Sequence, residues 1–570
     1  EFDGERVALP ALLAASKRGE GFVTLGDGSR GLLPDAWLAS VSRVVAMGTI
    51  DGEAVRFRPS QRLLLDAWLE AQPQVDVDAA FARVRAEISA FTGIDAVEAP
   101  ATFHGVLRPY QRDALAWFGF LRRFGFGGCL ADEMGLGKTV MVLALLESQR
   151  LERDRGGQPR RPSLIVVPRS LIFNWRHEAQ RFAPVLRVLD WTGGGRRGAH
   201  DRLLDHDVVV TTYGTLRRDI GHLKTVAFDY VILDEAQAIK NARTDAAKAA
   251  RLLQAEHRLA LSGTPVENHL GELWSILEFL NPGVLGSASV FAATTGAPGR
   301  TRDPEALTIV ARGVRPFILR RTKDQVASEL PPRTEQTIYC DLEAPQRRLY
   351  DELRTHYRRE LLGRVDAGGL GRAKLQVLEA LLRLRQAACH PGLVDRARSD
   401  EPSAKLDVLL ARLAELVEDG RKVLVFSQFT TLLGLVRHRL DAAGTSYEYL
   451  DGRTRDREAR VRRFQEDASC AVFLISLKAG GVGLNLTAAE HVFLLDPWWN
   501  PATEAQAIDR AHRIGQARPV FAYRLIARDT VEERVLELQG TKRALADAIV
   551  RADASLIESL GRDDLARLLS

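Results

Sequence analysis

The stretch GGCLADEMGLGKTV, Gly127 to Val140, decides how the rest of this chain is read. Gly127 to Ala131 is a short apolar run of strand type, and Asp132 to Thr139, DEMGLGKT, is a glycine-rich turn that leads into a helix. A strand, a glycine loop and a helix N-terminus in that order make a cradle for phosphate, because backbone N–H groups and the helix dipole both face the anion. Gly135 and Gly137 permit the close approach, Lys138 supplies charge to the β and γ phosphates, and Thr139 offers a hydroxyl to Mg²⁺. The common pattern has glycine six residues before the lysine; here that position is Asp132, so the loop is a variant. The nucleotide-holding set read from it is Asp132, Glu133, Met134, Gly135, Leu136, Gly137, Lys138 and Thr139.

Outward from this loop the same grammar repeats. LIVV (Leu164 to Val167), DVVVTT (Asp207 to Thr212), YVILDE (Tyr230 to Glu235) and RLALSGT (Arg258 to Thr264) are short apolar runs ending in polar residues. Fully apolar strands alternating with helices predict a parallel sheet covered on both faces, with ligands at the carboxyl ends of the strands. KVLVFS, YEYL, AVFLIS and HVFLL, from Lys422 onward, predict a second lobe of the same kind. Helical patterns dominate from about Leu270 to Gly420, LPPR (Leu330 to Arg333) reads as a hinge, and residues 295–304 and 363–372 read as flexible loops. Before residue 100 the pattern differs: Gly21 to Pro34 reads as two strands around a Gly-Asp-Gly turn, and Gln61 to Ala71 and Val77 to Phe91 as amphipathic helices. The expected division is 1–100, an α+β accessory region; 101–330, a nucleotide-binding lobe with a helical insertion; and 331–570, a second lobe with a helical insertion and C-terminal helices.

Composition narrows the classes. The 570 residues are enough for roughly two to four domains, and no apolar run is long enough to cross a membrane. No secretory signal is visible, and the initial Glu1-Phe2 is expected of a processed or expressed fragment. Cys129, Cys340, Cys389 and Cys470 are too scattered for a zinc site or disulfide framework, which fits a reducing cytoplasmic setting. A net charge of +5 leans weakly towards a polyanionic partner.

Further motifs fill in the chemistry. Asp234 and Glu235 close an apolar strand: Asp234 is expected to bind Mg²⁺ through its water shell and Glu235 to orient and deprotonate the attacking water. On its own such a pair is as compatible with capping the next helix. Ser262 and Thr264 end another strand and could sense the γ-phosphate, or simply form a turn. Gln111 has the donor and acceptor to read an adenine edge. Arg510 and Arg513, three apart on a predicted helix from Gln506 to Gln516, share a face and suit transition-state charge, although a salt-bridged surface helix would look the same. SLKAGGVGLNLTAA carries Lys478 in a glycine-rich loop, and the tryptophans of DPWWNP either stack on a base or pack internally.

LRPYQ, DEMGLGKT, LIVVPRSLIFNW, TTYGTL, DEAQAIKN, LALSGTPVEN, VFSQF, LDGRT, SLKAGGVGLNLTAA and DPWWNPATEAQAIDRAHRIGQ occur in that order. Together they resemble the Swi/Snf-type ATPases of helicase superfamily two, over about Leu107 to Arg534, with the first hundred residues similar to an accessory region of bacterial members. Leu319 to Lys323, followed by Leu330-Pro331-Pro332, resembles the segment joining that family's lobes. The resemblance implies an α/β fold of two RecA-like parallel-sheet lobes with helical insertions, ATP and Mg²⁺ as cofactors, and translocation on double-stranded DNA without strand separation. It implies that Gln111 contacts adenine, that Lys138, Thr139, Asp234 and Glu235 hold and hydrolyse ATP, that Arg510 and Arg513 are the fingers, and that Arg169, Thr212, Gln428 and Lys478 contact DNA. Many members have histidine where this chain has Gln237, so coupling through Gln237, Ser262 and Thr264 is expected to be less sensitive to pH.

The reading is an ATP-driven duplex-DNA translocase, a cytoplasmic, nucleoid-associated monomer; its cargo stays open among a bound protein, a polymerase and a recombination intermediate. A strand-separating helicase on DNA or RNA and a non-catalytic ATP-gated DNA scaffold are the rival readings. The intact Lys138, Glu235 and Arg510 argue against the scaffold.

Overall fold

Short strands without a polar face must be covered on both sides, and this chain builds two parallel sheets from them. The structure, a computed structural model, describes residues 97–193, 201–263, 270–289, 291, 310–368, 370–477, 484–498 and 501–537, with residues 7, 11–12, 15, 20, 22–32, 47–52, 54–69, 79, 82–83 and 86. The chain divides into two compact units, residues 1–132 with 138–321 and residues 133–137 with 322–570.

In the first unit seven strands lie in the order Ile318–Leu319, Gly128–Leu130, Gln254–Leu261, Ala227–Asp234, Ser163–Val167, Val208–Thr212 and Val188–Asp190. Every neighbouring pair is parallel. Leu130 pairs with Leu261, Leu261 with Asp234, Val166 with Leu233 and Val167 with Thr212. This register sets the carboxyl ends of five strands in one row, where a doubly wound sheet receives its ligand. Helix Lys138–Arg155 buries Met141 through Leu146 without interruption, as expected of a helix enclosed by its own sheet and its neighbours. At the base of the strand that leads to the glycine loop, the Asn281 side chain exchanges two 2.8 Å hydrogen bonds with the backbone of Gly127.

The second unit repeats the plan with six parallel strands, in the order Arg333–Cys340, Val520–Ala527, His491–Leu494, Val423–Ser427, Val472–Ser476 and Tyr447–Leu450. Lys405 and Glu532 form a fully buried ion pair at 2.5 Å, and the Lys405 ammonium also donates to the Leu495 carbonyl at 2.8 Å.

Several expectations need correcting. Residues 363–368 and 370–372 are helical, not loop: helix Ala344–Gly368 takes in the first and helix Leu370–Cys389 the second. Each glycine costs a helix about 1 kcal/mol, but Tyr350, Val377, Leu381 and Leu384 of the two helices share one core with Val531 and Val535. LPPR passes directly into the strand Arg333–Cys340, which pairs with another strand absent from the sequence reading, Val520–Ala527. The first is an edge strand studded with polar residues, and the second carries Arg524, whose guanidinium is held by Glu504 at 2.8 Å. Neither looks like an apolar run. Residues 295–304 lie outside the described residues.

Before residue 100, Phe22–Thr24 and Arg30–Leu32 pair antiparallel around Gly28, whose φ of 85° needs glycine, and helix Arg62–Leu69 falls within the expected 61–71. A second hairpin, Thr49–Asp51 with Ala54–Arg56, is additional. Of the helix expected over 77–91, only isolated residues are described. The Gln61 amide donates to the carbonyls of Met47 at 2.8 Å and Gly283 at 3.1 Å, fastening this region to the first lobe.

Removing one member of a buried ion pair strands the other, at a cost of roughly 3–5 kcal/mol. Lys405→Met is therefore expected to lower the denaturant midpoint of the second unit strongly. An unchanged midpoint would show that Glu532 finds another partner.

His257 and His390 are both held down to about 4, burial being the main cause in each. Their folded values lie below the ordinary histidine value of about 6.5, so the folded state binds fewer protons between the two values. Stability should fall as pH drops from 6.5 towards 4. His390→Asn should flatten that acid limb in thermal melts, and an equally steep limb would assign it to other groups.

Candidate functional site

The glycine loop joins strand Gly128–Leu130 to helix Lys138–Arg155, with Gly135 at φ 90° and Gly137 at φ 80°. Both angles lie where only glycine is comfortable, so the loop's shape follows directly from the two glycines. The Lys138 ammonium is parked on the Asp132 carbonyl at 2.5 Å, and Thr139 is half-buried in the first turn of the helix. Glu133, Met134 and Gly137 are half-buried and Leu136 is buried. The Asp132 carboxylate, expected to help hold nucleotide, is instead occupied. Arg321 takes it with Nε at 3.0 Å, a terminal nitrogen at 2.5 Å and its own backbone N–H at 3.0 Å.

The acidic pair ends the strand Ala227–Asp234. Asp234 is 8% exposed; the Trp175 indole donates to one carboxylate oxygen at 2.8 Å and the Glu235 backbone N–H to the other at 2.9 Å. Burial, and then the neighbouring Glu235, push Asp234 up to about 7. A group so desolvated and crowded by negative charge is primed for a cation, and Lys138 is near enough to offset part of the effect. Glu235 sits in the left-handed region at φ 50°, ψ 55°. Among the described residues only Asp529 shares that property without being glycine. Strain of this sort is retained where a side chain must be aimed.

From Glu235 a continuous path of hydrogen bonds runs across the strand ends. The Gln237 amide donates to Glu235 at 2.6 Å, the Ser262 hydroxyl donates to Gln237 at 3.2 Å, and the Ser262 N–H donates to the Leu130 carbonyl at 3.1 Å. Three segments far apart in sequence therefore meet: the strand into the glycine loop, the Asp234 strand with the turn that follows it, and the Ser262 strand end. Thr264 lies outside the described residues.

The other sequence-derived positions are more dispersed. Gln111 is 5% exposed at the start of helix Pro109–Phe124, its carbonyl oxygen accepting from the Arg108 N–H at 3.0 Å. Arg169 is exposed at the end of Ser163–Val167. Thr212 caps helix Tyr213–Leu223 by accepting from the Thr215 N–H at 3.0 Å. In the second unit the Gln428 N–H meets the Asp496 carboxylate at 3.2 Å and its carbonyl oxygen accepts from Arg385 at 3.4 Å, while Lys478 and Trp499 lie outside the described residues. Trp498 packs against the second unit's core.

The arginine helix is corrected. It ends at Ile508, and Arg510 and Arg513 occupy tight turns beyond it rather than one helical face. The reason is Gln516, whose amide gathers the carbonyls of Thr487, Ala489 and Ala511 at 3.1, 2.8 and 3.1 Å and folds the chain back. Lys323 stiffens the same turn through Asp509 at 2.6 Å and the His512 carbonyl at 2.7 Å.

The SNF2-related domain family matches residues 110–393, and the helicase conserved C-terminal domain matches residues 404–515. The chain belongs to the SNF2-related family. A putative ATP-dependent helicase/translocase of Bacillus subtilis, YwqA, is 37% identical over 522 residues, covering 89% of this chain and 55% of that protein. The human SWI/SNF-related matrix-associated actin-dependent regulator of chromatin subfamily A member 1 is 37% identical over 474 residues, 80% of this chain and 44% of its own. A solved structure, the Sulfolobus solfataricus SWI2/SNF2 ATPase core in complex with dsDNA, is 34% identical, covering 83% of this chain and 99% of that one, at a TM-score of 0.42. The chain spans about half the length of the curated relatives it matches.

Within the family's motifs, Trp175 and Arg321 are the contacts that the motif reading left without a role. Trp175 stands in the quoted LIVVPRSLIFNW and Arg321 in the segment Leu319 to Lys323, but neither is a nucleophile or acid by type. An indole N–H aimed at a carboxylate and an arginine paired inside a fold are products of packing.

Gln237 makes the relay from Glu235 to Ser262 without any titrating group. Gln237→His is expected to add to the pH profile of ATP turnover a further titration near the ordinary histidine value of about 6.5, beside that of Asp234, which burial and Glu235 raise to about 7. Superimposable pH–rate profiles would remove Gln237 from the path.

Proposed function

We propose that this chain is a DNA-dependent ATPase that moves along double-stranded DNA and remodels protein–DNA complexes without separating the strands. The observation that carries the reading is the relay Glu235–Gln237–Ser262 beside the buried Asp234. A carboxylate held off its ordinary backbone conformation and hydrogen-bonded to a neighbouring strand end is suited to report hydrolysis, not merely to hold nucleotide. The similarity to YwqA, a putative ATP-dependent helicase/translocase, supports an ATP-driven motor.

In this reading Lys138 leaves the Asp132 carbonyl for the β and γ phosphates, Gln111 faces the adenine, and Glu235 orients water and accepts its proton. Thr139, and Asp234 through the ion's water shell, would hold Mg²⁺: a carboxylate whose proton is held only by burial and a neighbouring charge fits that role. Mg²⁺, when bound, neutralises phosphate charge. Arg510 and Arg513 stabilise the charge that develops on the transferred phosphoryl group. Arg169, Thr212, Gln428 and Lys478 grip DNA phosphates, so binding is salt-dependent and weakly sequence-selective. The protein works as a cytoplasmic, nucleoid-associated monomer, and its cargo is a DNA-bound protein such as a polymerase.

The test is steady-state ATP turnover with no nucleic acid, duplex DNA, single-stranded DNA or RNA, at two salt concentrations, beside a forked-duplex unwinding assay. Duplex DNA should stimulate turnover, high salt should weaken the stimulation, and forks should stay paired. Fork opening would favour the strand-separating reading. Glu235→Gln should lower turnover by about 10²-fold or more with ATP still bound, and unchanged turnover would end the catalytic assignment.

A further inference from the structure

Asp132 stands where the common phosphate loop has glycine, and a bare carboxylate there would repel the phosphates it borders. It is fully buried, and both oxygens are taken by one side chain, Arg321, at 3.0 and 2.5 Å. The same guanidinium donates to the Tyr110 carbonyl and lies over the Tyr110 ring, 5.2 Å from its centroid. Tyr110 is followed at once by Gln111, the residue proposed to face adenine. On the other side, the Asp132 carbonyl receives the Lys138 ammonium at 2.5 Å.

Arg321 is itself well anchored. Strand Ile318–Leu319 lies beside Gly128–Leu130, and the Leu319 carbonyl accepts from the Ala131 N–H at 2.7 Å. The Arg321 backbone N–H adds a third bond to Asp132 at 3.0 Å. A planar guanidinium can serve a carboxylate with two nitrogens and a carbonyl with a third, whereas an ammonium is a point charge without that fork.

We propose that Arg321 is a positioning residue that sets the spacing between the base-reading and phosphate-holding halves of the nucleotide site, with Asp132 as its partner rather than a nucleotide ligand. The proposal rests on the reading that Gln111 and the glycine loop bind ATP. It makes a specific demand: losing the pair should harm a ligand that spans both halves more than a ligand that occupies one.

The experiment is displacement of a fluorescent N-methylanthraniloyl-ATP by ATP, GTP and inorganic tripolyphosphate, from the parent, Arg321→Lys, Arg321→Ala and Asp132→Asn, with thermal melts alongside. In Arg321→Lys and Asp132→Asn, the Kd for ATP should rise about tenfold and the preference for ATP over GTP should shrink comparably, with tripolyphosphate shifted less than about twofold. Equal losses for ATP and tripolyphosphate would overturn the proposal and leave Arg321 a support for the loop's fold. An unchanged Kd for ATP in both variants would overturn it too. A parent that shows no preference for ATP over tripolyphosphate would instead remove the nucleotide reading, and the proposal with it.

Discussion

A carboxylate at the end of a central parallel strand has lost most of its water, and the first unit is organised around that cost at Asp234. Burial and the adjacent Glu235 both favour its neutral form. The protein answers with the Trp175 indole, the Glu235 N–H and the field of Lys138. Trp175 and Lys138 come from segments distant in sequence, so the tertiary fold must hold for Asp234 to be tolerable. The parallel register sets the Ser262 strand end beside Leu130, at the end of the neighbouring strand, and makes the relay through Gln237 geometrically available.

Buried charge recurs, and several of the buried groups are ion-paired. Asp132 is met by Arg321 in the first unit, and Glu532 by Lys405 and Asp496 by Arg385 in the second. Such pairs add little net stability over apolar packing, but removing one partner is expensive. They also specify which segments meet. Arg385 comes from helix Leu370–Cys389 and reaches both Asp496 and the Gln428 side chain, binding the helical insertion to two strand ends.

Where the sequence misled, local pattern was overruled by packing. Strand Arg333–Cys340 resembles no apolar run because it sits at a sheet edge with much of its length exposed. Gly363, Gly368 and Gly371 are helical because their two helices share a core with Val531 and Val535. The arginines read as one helical face lie in turns because Gln516 draws three carbonyls together. In the first two cases the deciding partner is distant in sequence, and in the third the nearby Gln516 acts by reaching the distant carbonyls of Thr487 and Ala489.

The sequence by itself determined the fold class, the two-lobe repetition and the identity of the glycine loop, the acidic pair and the arginine motif. Those features are written in local spacing: apolar runs of strand length, glycines where positive φ is needed, a lysine at a helix start. Only the tertiary structure decided that Asp132 is spoken for by Arg321, that Trp175 holds Asp234, that Glu235 is strained, and that Gln237 links it to Ser262. These depend on strand order. Residues 234 and 261 become neighbours because parallel strands pair across intervening helices, and a chain read from end to end gives chemistry by spacing but not the partners that long-range closure supplies.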